Sequence, residues 1–536
     1  MLRGLFGKNG TESPEPVQAN IEGSLPDWLQ GTLLRNGPGL FSLGDKTYNH
    51  WFDGMALIHS FTFKDGEVFY RSKFLRSETY KKNMGANRIV VSEFGTMIYP
   101  DPCKNIFSKM FTHLCNAIPD FTDNNLINII RYGKDYYASA EVNYINQIDP
   151  ETLETVGRAN YRKYIALNLA TAHPHYDDYG NTYNMGTSIM SFGGPKYVIF
   201  KVPSGAKETQ DHHLALKNLK QVCSVPCRSS LYPSYFHSFG MTENYIIFVE
   251  QPFKLDILRL ATAYFRGINW GTCLKYDKED QTLIHLINRT TGKAVSTKFY
   301  TDALVIFHHI NAYEDEGHVV FDMITYKDSN LYNMFYLQNM AKKNEDFIQS
   351  NDQWSPPVCQ RFVLPLDIEK ETPVGSNLVK LTDTTATAVL QKDKSVYCQP
   401  DTLLVGLELP GINYKFNSKK YRYFYGSRVE WSPHPNKLGK LDIVTRKCVE
   451  WTAEECYPSE PVFVASPGAV EEDDGVILSS VVSLNPEKPP FMLVLDAKSF
   501  TELARATIST SVHMDLHGLF VPQQDIPQSS SQQGAE

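Results

Sequence analysis

Fifteen histidines occur among the 536 residues, and four stretches place them in strongly apolar company: Ala172-His173-Pro174-His175, Tyr235-Phe236-His237-Ser238, Ile306-Phe307-His308-His309 and Asp515-Leu516-His517-Gly518. A single buried histidine is usually a hydrogen-bonded core residue. The intervals argue for something else. His173 to His237 is 64 residues, His237 to His308 is 71, and His308 to His517 is 209, close to three times the first two. A β-propeller of seven blades would use about 77 residues per blade, and equivalent positions on its blades face one axis. Imidazoles spaced by one, one and three blade lengths could therefore meet at an axial metal ion. Spacing alone leaves open which member of His173/His175 and of His308/His309 points inward. His513 and His517 are four apart, but Met514 stands where a zinc-protease motif carries Glu.

Four neutral imidazoles bring no charge and no soft thiolate. Such a set suits Fe, Zn, Cu or Ni, so donor type does not choose the metal. Four ligands on an octahedral ion leave two positions for dioxygen and substrate. Metal-bound histidines hand their second N–H to a carboxylate or carbonyl. Three glutamates in apolar or proline-bounded settings could receive it: Glu141 in Ala-Glu-Val-Asn, Glu408 in Leu-Glu-Leu-Pro and Glu460 in Pro-Ser-Glu-Pro. Their charges would also offset the ion's charge in a core of low dielectric.

The elements that must hold such a site read as strands. Met55 to Phe63 alternates apolar and polar residues, Lys64-Asp65-Gly66-Glu67 turns, and Val68 to Phe74 returns. Similar runs recur at Tyr136–Ile148, Tyr245–Glu250, Val319–Thr325, Leu441–Thr452, Val476–Val482 and Phe491–Thr507. Three tips share a pattern: Ile148-Asp149-Pro150-Glu151-Thr152, Leu441-Asp442-Ile443-Val444-Thr445 and Leu495-Asp496-Ala497-Lys498-Ser499. Aspartate bonds its own backbone in such turns. The recurrence suggests a repeat architecture within an all-β fold, with a β-propeller as the leading candidate, and a helical and loop cap is expected over one face. One catalytic domain over 15–522 is expected, between an N-terminal tail (1–14) and a polar, disordered C-terminal tail (523–536). Asn105–Ala117 and Phe253–Phe265 read as amphipathic helices, the second mixing apolar and basic residues as interfacial segments do.

Bulk composition narrows the partners. Hydrophobic residues are 42%, charged residues 21%, and the net charge is −8. There is no basic stripe with interleaved aromatics, which argues against nucleic acid. The nine cysteines are odd in number and scattered, as expected for free thiols in the cytosol. Cys223 and Cys227 lack the second pair of a zinc site. No run approaches the ~18 apolar residues of a membrane span, so any membrane or lipid-droplet contact would be peripheral.

Several motifs in order resemble the carotenoid cleavage oxygenases: Tyr48-Asn49-His50-Trp51-Phe52-Asp53-Gly54, Pro100-Asp101-Pro102-Cys103-Lys104-Asn105-Ile106-Phe107, Ala172-His173-Pro174-His175, Pro233-Ser234-Tyr235-Phe236-His237-Ser238-Phe239-Gly240 and His517-Gly518-Leu519-Phe520. The resemblance covers residues 15 to 522. It implies a seven-bladed propeller with one Fe(II) per chain on its axis, held by His173, His237, His308 and His517 and backed by Glu141, Glu408 and Glu460. It makes the first histidine of each doublet the ligand. It also implies an apolar tunnel, with Phe52, Phe94, Tyr235, Phe307, Tyr326 and Leu516 as wall candidates, and dioxygen as co-substrate. Met514-Asp515-Leu516-His517 and Thr301-Asp302-Ala303 with His308-His309 resemble the animal members that cut β-carotene at its central 15,15′ bond into two retinal molecules. Eccentric or apocarotenoid cleavage on the same iron is an alternative. So, from another class, is a retinoid ester isomerohydrolase or a carotenoid-binding protein, although the isomerohydrolase relatives end in Phe-His-Gly where this chain has Leu516. Ala140 and Val142 stand where the family often has hydroxyl side chains beside the first Glu. Cys103 is a candidate for acylation, with a free thiol the default state.

Overall fold

The computed structural model describes residues 2–98, 121–204, 214–351, 355–428 and 437–526. Among the described residues seven sheets of four to six strands are antiparallel except for one parallel pair, Phe299–Thr301 with Val396–Gln399. Each is a blade, and the chain forms the seven-bladed propeller that the family resemblance implies. Blade II is the simplest: Asn128–Tyr132, Asp135–Ser139, Tyr144–Ile148 and Thr155–Asn160, from the axis outward. Blades III to VI begin at the axis with Leu169–Ala170 and His175–Tyr176, Gly240–Met241, Val305–Asp315 and Leu407–Gly411. Blade VII begins with Cys456–Pro458 and Val462–Ala465.

The two ends of the chain close the ring. Asn20–Gly23 adds the outermost strand to blade VII by pairing with Glu502–Thr507. Blade I takes its innermost strand, His517–Pro522, from the far end of the chain, paired antiparallel to Gly31–Leu40. Closure buries edges that would otherwise expose unpaired backbone. Adjacent blades share apolar layers, such as that of Val305, Ile324 and Val363 on blade V with Leu407, Phe424 and Leu441 on blade VI. Each such buried side chain stabilises by about 1.5–3 kcal/mol.

Antiparallel order fixes where connections fall. Turns between first and second strands, and between third and fourth, lie on one face. Links between second and third strands, and between blades, lie on the other. The shared hairpin tips belong to the first group. Asp149 accepts the N–H of Glu151 and Thr152 at 2.8 and 2.9 Å, Asp442 that of Val444 at 3.0 Å, and Asp496 that of Ser499 at 2.7 Å. Four residues past each aspartate the chain turns left-handed, at Leu153, Arg446 and Phe500, with φ of 59°, 62° and 59°. The predicted repeat is thus real at atomic detail.

The second group grows into the cap. Among the described residues, insertions 41–54, 251–281, and 327–351 with 355–357 interrupt blades I, IV and V, and 75–98 and 121–127 lie between blades I and II. The expected helix over Phe253–Phe265 is replaced by a strand and two short helices. Phe253–Leu255 pairs with Leu274–Tyr276, then Asp256 caps Ile257–Ala261, and Ala263–Arg266 follows. Backbone pairing outcompetes the local 3.6-residue periodicity there. Regular structure also occurs at described positions within both expected tails. Leu2–Phe6 is helical, its Leu5 and Phe6 pack on the core, and Phe6 meets Trp51 edge-on at 5.0 Å. A strand starts at Ser13 because Ser72 and Tyr70 offer it a pairing edge. Gln523–Asp525 forms a 3-10 turn. Asn105–Ala117, Cys103 and 527–536 lie outside the described residues.

Candidate metal centre and substrate cavity

The four histidines come from the axial ends of four blades. His173 lies between the two innermost strand segments of blade III, and His237 just ahead of the inner strand of blade IV. His308 sits within the inner strand of blade V, and His517 opens that of blade I. Blade I is three on from blade V around the ring, as the 209-residue interval requires. One nitrogen from each of the four lies within 4.8 Å of every other. Glu141 sits on the blade II hairpin, Glu408 in the inner strand of blade VI, and Glu460 between the inner segments of blade VII. Each of the seven blades therefore contributes one member of the set.

Three of the rings are oriented through Nδ1. His308 Nδ1 donates to Glu408 at 2.7 Å, His237 Nδ1 to Glu141 and His517 Nδ1 to Glu460. That contact fixes the tautomer and leaves Nε2 with its lone pair facing the axis. His308 Nε2 is buried there without a protein partner, and the Nε2 atoms of His173 and His237 face each other at 2.9 Å, close enough to share one ion. The donor set thus fits a divalent metal. Burial drives the His173 imidazole well below its ordinary range, with the neighbouring histidines adding to the effect. Burial also lowers His517, against the pull of Glu460. Burial would lower His308 as well, but the Glu408 carboxylate, with Glu460 and Glu141 adding to it, makes the net shift upward. Burial would raise Glu408 and Glu460, but the histidines they face, and Arg35 beside Glu460, bring both below the ordinary value.

Two of the other histidines of the motifs are hydrogen-bonded elsewhere. His175 bonds the Phe239 carbonyl at 2.8 Å and Asn417 at 3.1 Å, and His513 the Leu57 carbonyl at 2.9 Å. His309 packs toward Phe321 on its own blade, its ring nitrogens buried without a hydrogen-bond partner. The four-histidine group contains His173 and His308, the first member of each doublet.

Between the histidines and the cap lies a cavity of ≈ 370 Å³, walled mainly by apolar side chains. All six expected wall residues, Phe52, Phe94, Tyr235, Phe307, Tyr326 and Leu516, line it. So do Ala140 and Val142, which keep its floor apolar beside Glu141. His237, His308 and His517 open onto it. Two of the wall tyrosines also serve the carboxylates: Tyr326 donates to Glu408 at 2.8 Å and Tyr235 to Glu141 at 2.7 Å. Sequence reasoning missed Tyr332, whose hydroxyl donates to that of Tyr235 at 2.6 Å. It also missed Arg35, which donates to Glu460 at 2.8 Å. The signal for Arg35 was a lone cation inside the buried run Leu33-Leu34-Arg35-Asn36.

Comparison with known proteins agrees with this arrangement. The family described as Retinal pigment epithelial membrane protein matches residues 6–522. The chain is 59% identical to chicken beta,beta-carotene 15,15′-dioxygenase, over 97% of this chain and 98% of that protein. It is 58% identical to the mouse enzyme of the same name, over 97% and 92%. Identity to the mitochondrial carotenoid-cleaving dioxygenase of Pongo abelii is 42%, over 95% and 93%. A cobalt-substituted apocarotenoid oxygenase from Synechocystis has the same fold, with a TM-score of 0.75 at 22% identity over 97% of this chain and 98% of that one. A propeller with four histidines on its axis, matched nearly end to end by these relatives, belongs to the retinal pigment epithelial membrane protein family, the carotenoid oxygenases.

Proposed function

We propose that this chain is an Fe(II)-dependent dioxygenase that cleaves β-carotene at its central 15,15′ double bond to give two molecules of retinal. The observation that carries the reading is the convergence of four histidine nitrogens, three on rings oriented by carboxylates, at the end of an apolar cavity. The near end-to-end likeness to animal enzymes named for that reaction supports it. His173, His237, His308 and His517 would hold the metal. When bound, ferrous iron supplies the unpaired electrons that let triplet dioxygen react with a closed-shell polyene.

The chain's own residues do the rest. Glu141, Glu408 and Glu460 orient three imidazoles and bring negative charge to the site. Phe52, Phe94, Phe307 and Leu516 grip a hydrocarbon chain by shape and exclude water from the reacting bond. The tyrosine hydroxyls of Tyr235 and Tyr326 turn toward carboxylates, so the faces of their rings are left for the polyene. No proton needs to move between protein and substrate, because both oxygen atoms end in aldehydes.

Delivery of so apolar a substrate calls for a lipid surface. Leu258 and Phe265 are 56% and 52% exposed, and Leu231 and Tyr232 lie beside them, joined through Ile257 N to Leu231 O at 3.1 Å. The same segment turns Leu255, Leu260 and Trp270 into the cavity. This supports peripheral docking of the cap on a membrane or lipid droplet. No helix among the described residues is long and apolar enough to cross a membrane. The seven described cysteines are all free, in keeping with a cytosolic setting.

The test is the product. Iron-loaded enzyme given β-carotene under isotopically labelled dioxygen should yield retinal alone, with label in both aldehydes. Long apocarotenals would instead mark eccentric cleavage. Absence of oxygen uptake at full iron occupancy would overturn the oxygenase reading in favour of isomerohydrolase or binding roles.

A further inference from the structure

We infer that Arg35 is a positioning residue of the metal centre, clamping His517 in place against the other three ligands. The inference rests on the metal-centre reading above. Arg35 lies in Gly31–Leu40, the strand that pairs with the closing strand of the propeller, and its side chain has 0% exposure. Burying a guanidinium is costly unless its charge is compensated, and Arg35 faces two carboxylates although its Nε is buried without a partner. Here Nη1 donates to Glu460 Oε1 at 2.8 Å, and Nη2 donates to Asp515 Oδ1 at 2.6 Å and to the Leu516 carbonyl at 3.0 Å. The second oxygen of Asp515 is held by His59 Nε2 at 2.8 Å.

Two things fix an imidazole on a strand: the backbone that carries it and the partner of its distal nitrogen. For His517 both pass through Arg35. The backbone just before it, Asp515 and Leu516, is tied to the guanidinium, and Leu516 N is bonded to the Asn36 carbonyl at 2.8 Å. The Nδ1 partner, Glu460, is tied to the same guanidinium by its other oxygen. His237 and His308 are built differently. Their carboxylates take a neutral tyrosine hydroxyl in the place of Arg35, from Tyr235 and Tyr326. Glu460 therefore shares its charge with a cation, and His517 receives less electron density from behind than those two histidines do. Lysine cannot replace this fork, since one ammonium cannot face both carboxylates in a plane.

The experiment is a double-mutant cycle on the full chain, stripped of metal, with Co2+ as the probe. Dissociation constants and the visible absorption of bound Co2+ are measured for wild type, Arg35→Met, Arg35→Lys, His517→Ala and the two double variants. Arg35→Met should weaken Co2+ binding about 10–100-fold, the usual cost of losing an outer partner of a metal ligand, and shift the visible bands. Arg35→Lys should recover only part of that. In the His517→Ala background either Arg35 change should alter affinity by less than about twofold. Arg361→Met supplies the control, since that buried arginine pairs with Asp322 at 2.8 and 2.9 Å on blade V, away from the histidines. It should leave Co2+ affinity at the wild-type value. Equal losses in both backgrounds, or a loss no larger than that of Arg361→Met, would overturn the inference. If Arg35→Met does not fold, the Arg35→Lys arm makes the same comparison. A wild-type chain that takes up no Co2+ would overturn the metal-centre reading itself, and the inference with it.

Discussion

His237 is the histidine most heavily engaged: Glu141 behind it, the Nε2 of His173 in front, and the Phe307 ring at 5.9 Å on the cavity side. His237→Ala removes a ligand and leaves the buried carboxylate of Glu141 with only tyrosine for company. Loss of stoichiometric metal and of turnover is expected, checked by metal analysis of the purified variant. Normal activity would refute the ligand assignment. Glu408 permits a finer test. It accepts from His308, from Tyr326 and from the backbone N–H of Leu409. Glu408→Gln keeps the shape but removes the charge, and one of its two ends becomes a donor facing donors. A loss of about 10–100-fold in metal affinity is expected, with His308 retained as a ligand. A Co2+ titration decides this, and an unchanged affinity would mean that Glu408 only fills space.

The closing strand His517–Pro522 shows how an element can be tuned for one residue. A Cβ added at Gly518 would stand 1.8 Å from the Leu34 carbonyl oxygen. Neither backbone can retreat, because Arg35 pairs with Gly518 and Asn36 with His517 in the same ladder. Gly518→Ala should therefore force the strand outward. Metal should be lost before the fold is, seen as a drop in metal stoichiometry larger than the shift in melting temperature suggests. Elements of this kind were partly legible in the sequence. The hairpins at Met55–Phe74 and Leu441–Thr452 and the Asp-centred tips follow from alternation and turn chemistry, which are local. The stretch Phe253–Phe265 was misread as one helix because its fate is set by Leu274–Tyr276, a pairing no local window contains. The Leu2–Phe6 helix was hidden for the same reason, since Trp51 and Phe335 give it a surface.

At the scale of the whole molecule, the intervals between His173, His237, His308 and His517 were readable because a propeller turns sequence period into angular position. The cavity was not legible in spacing, and its six wall candidates came from the family motifs, since the walls combine strand residues such as Phe307 and Tyr326 with insertions of unrelated length. Nor was Arg35 with Glu460, 425 residues apart and joined only by ring closure. Closure also buries histidines that serve no metal, and these give the fold a pH dependence. His50 Nδ1 accepts from Phe52 N at 3.1 Å, and its Nε2 donates to the Tyr332 carbonyl at 2.7 Å, so the neutral ring suits both neighbours. Burial pulls its pKa down to about 4 and that of His513 to about 3, from an ordinary 6.5. The unfolded chain binds more protons than the native one between those values. Stability from these two groups is thus full above pH 6.5 and is lost as pH falls toward 4. Asp53 acts in the opposite sense, since burial pushes it up to about 7 and its native form gains protons first. Glu93, raised well above its ordinary value by burial, acts with Asp53, while His309, lowered to about 3, acts with the two histidines, so the contribution of His513 is read by removing it. His513→Gln keeps a donor for the Leu57 carbonyl but cannot be protonated. Its melting temperature should fall less steeply over the same range, and a slope identical to that of wild type would show that His513 titrates normally in the folded chain.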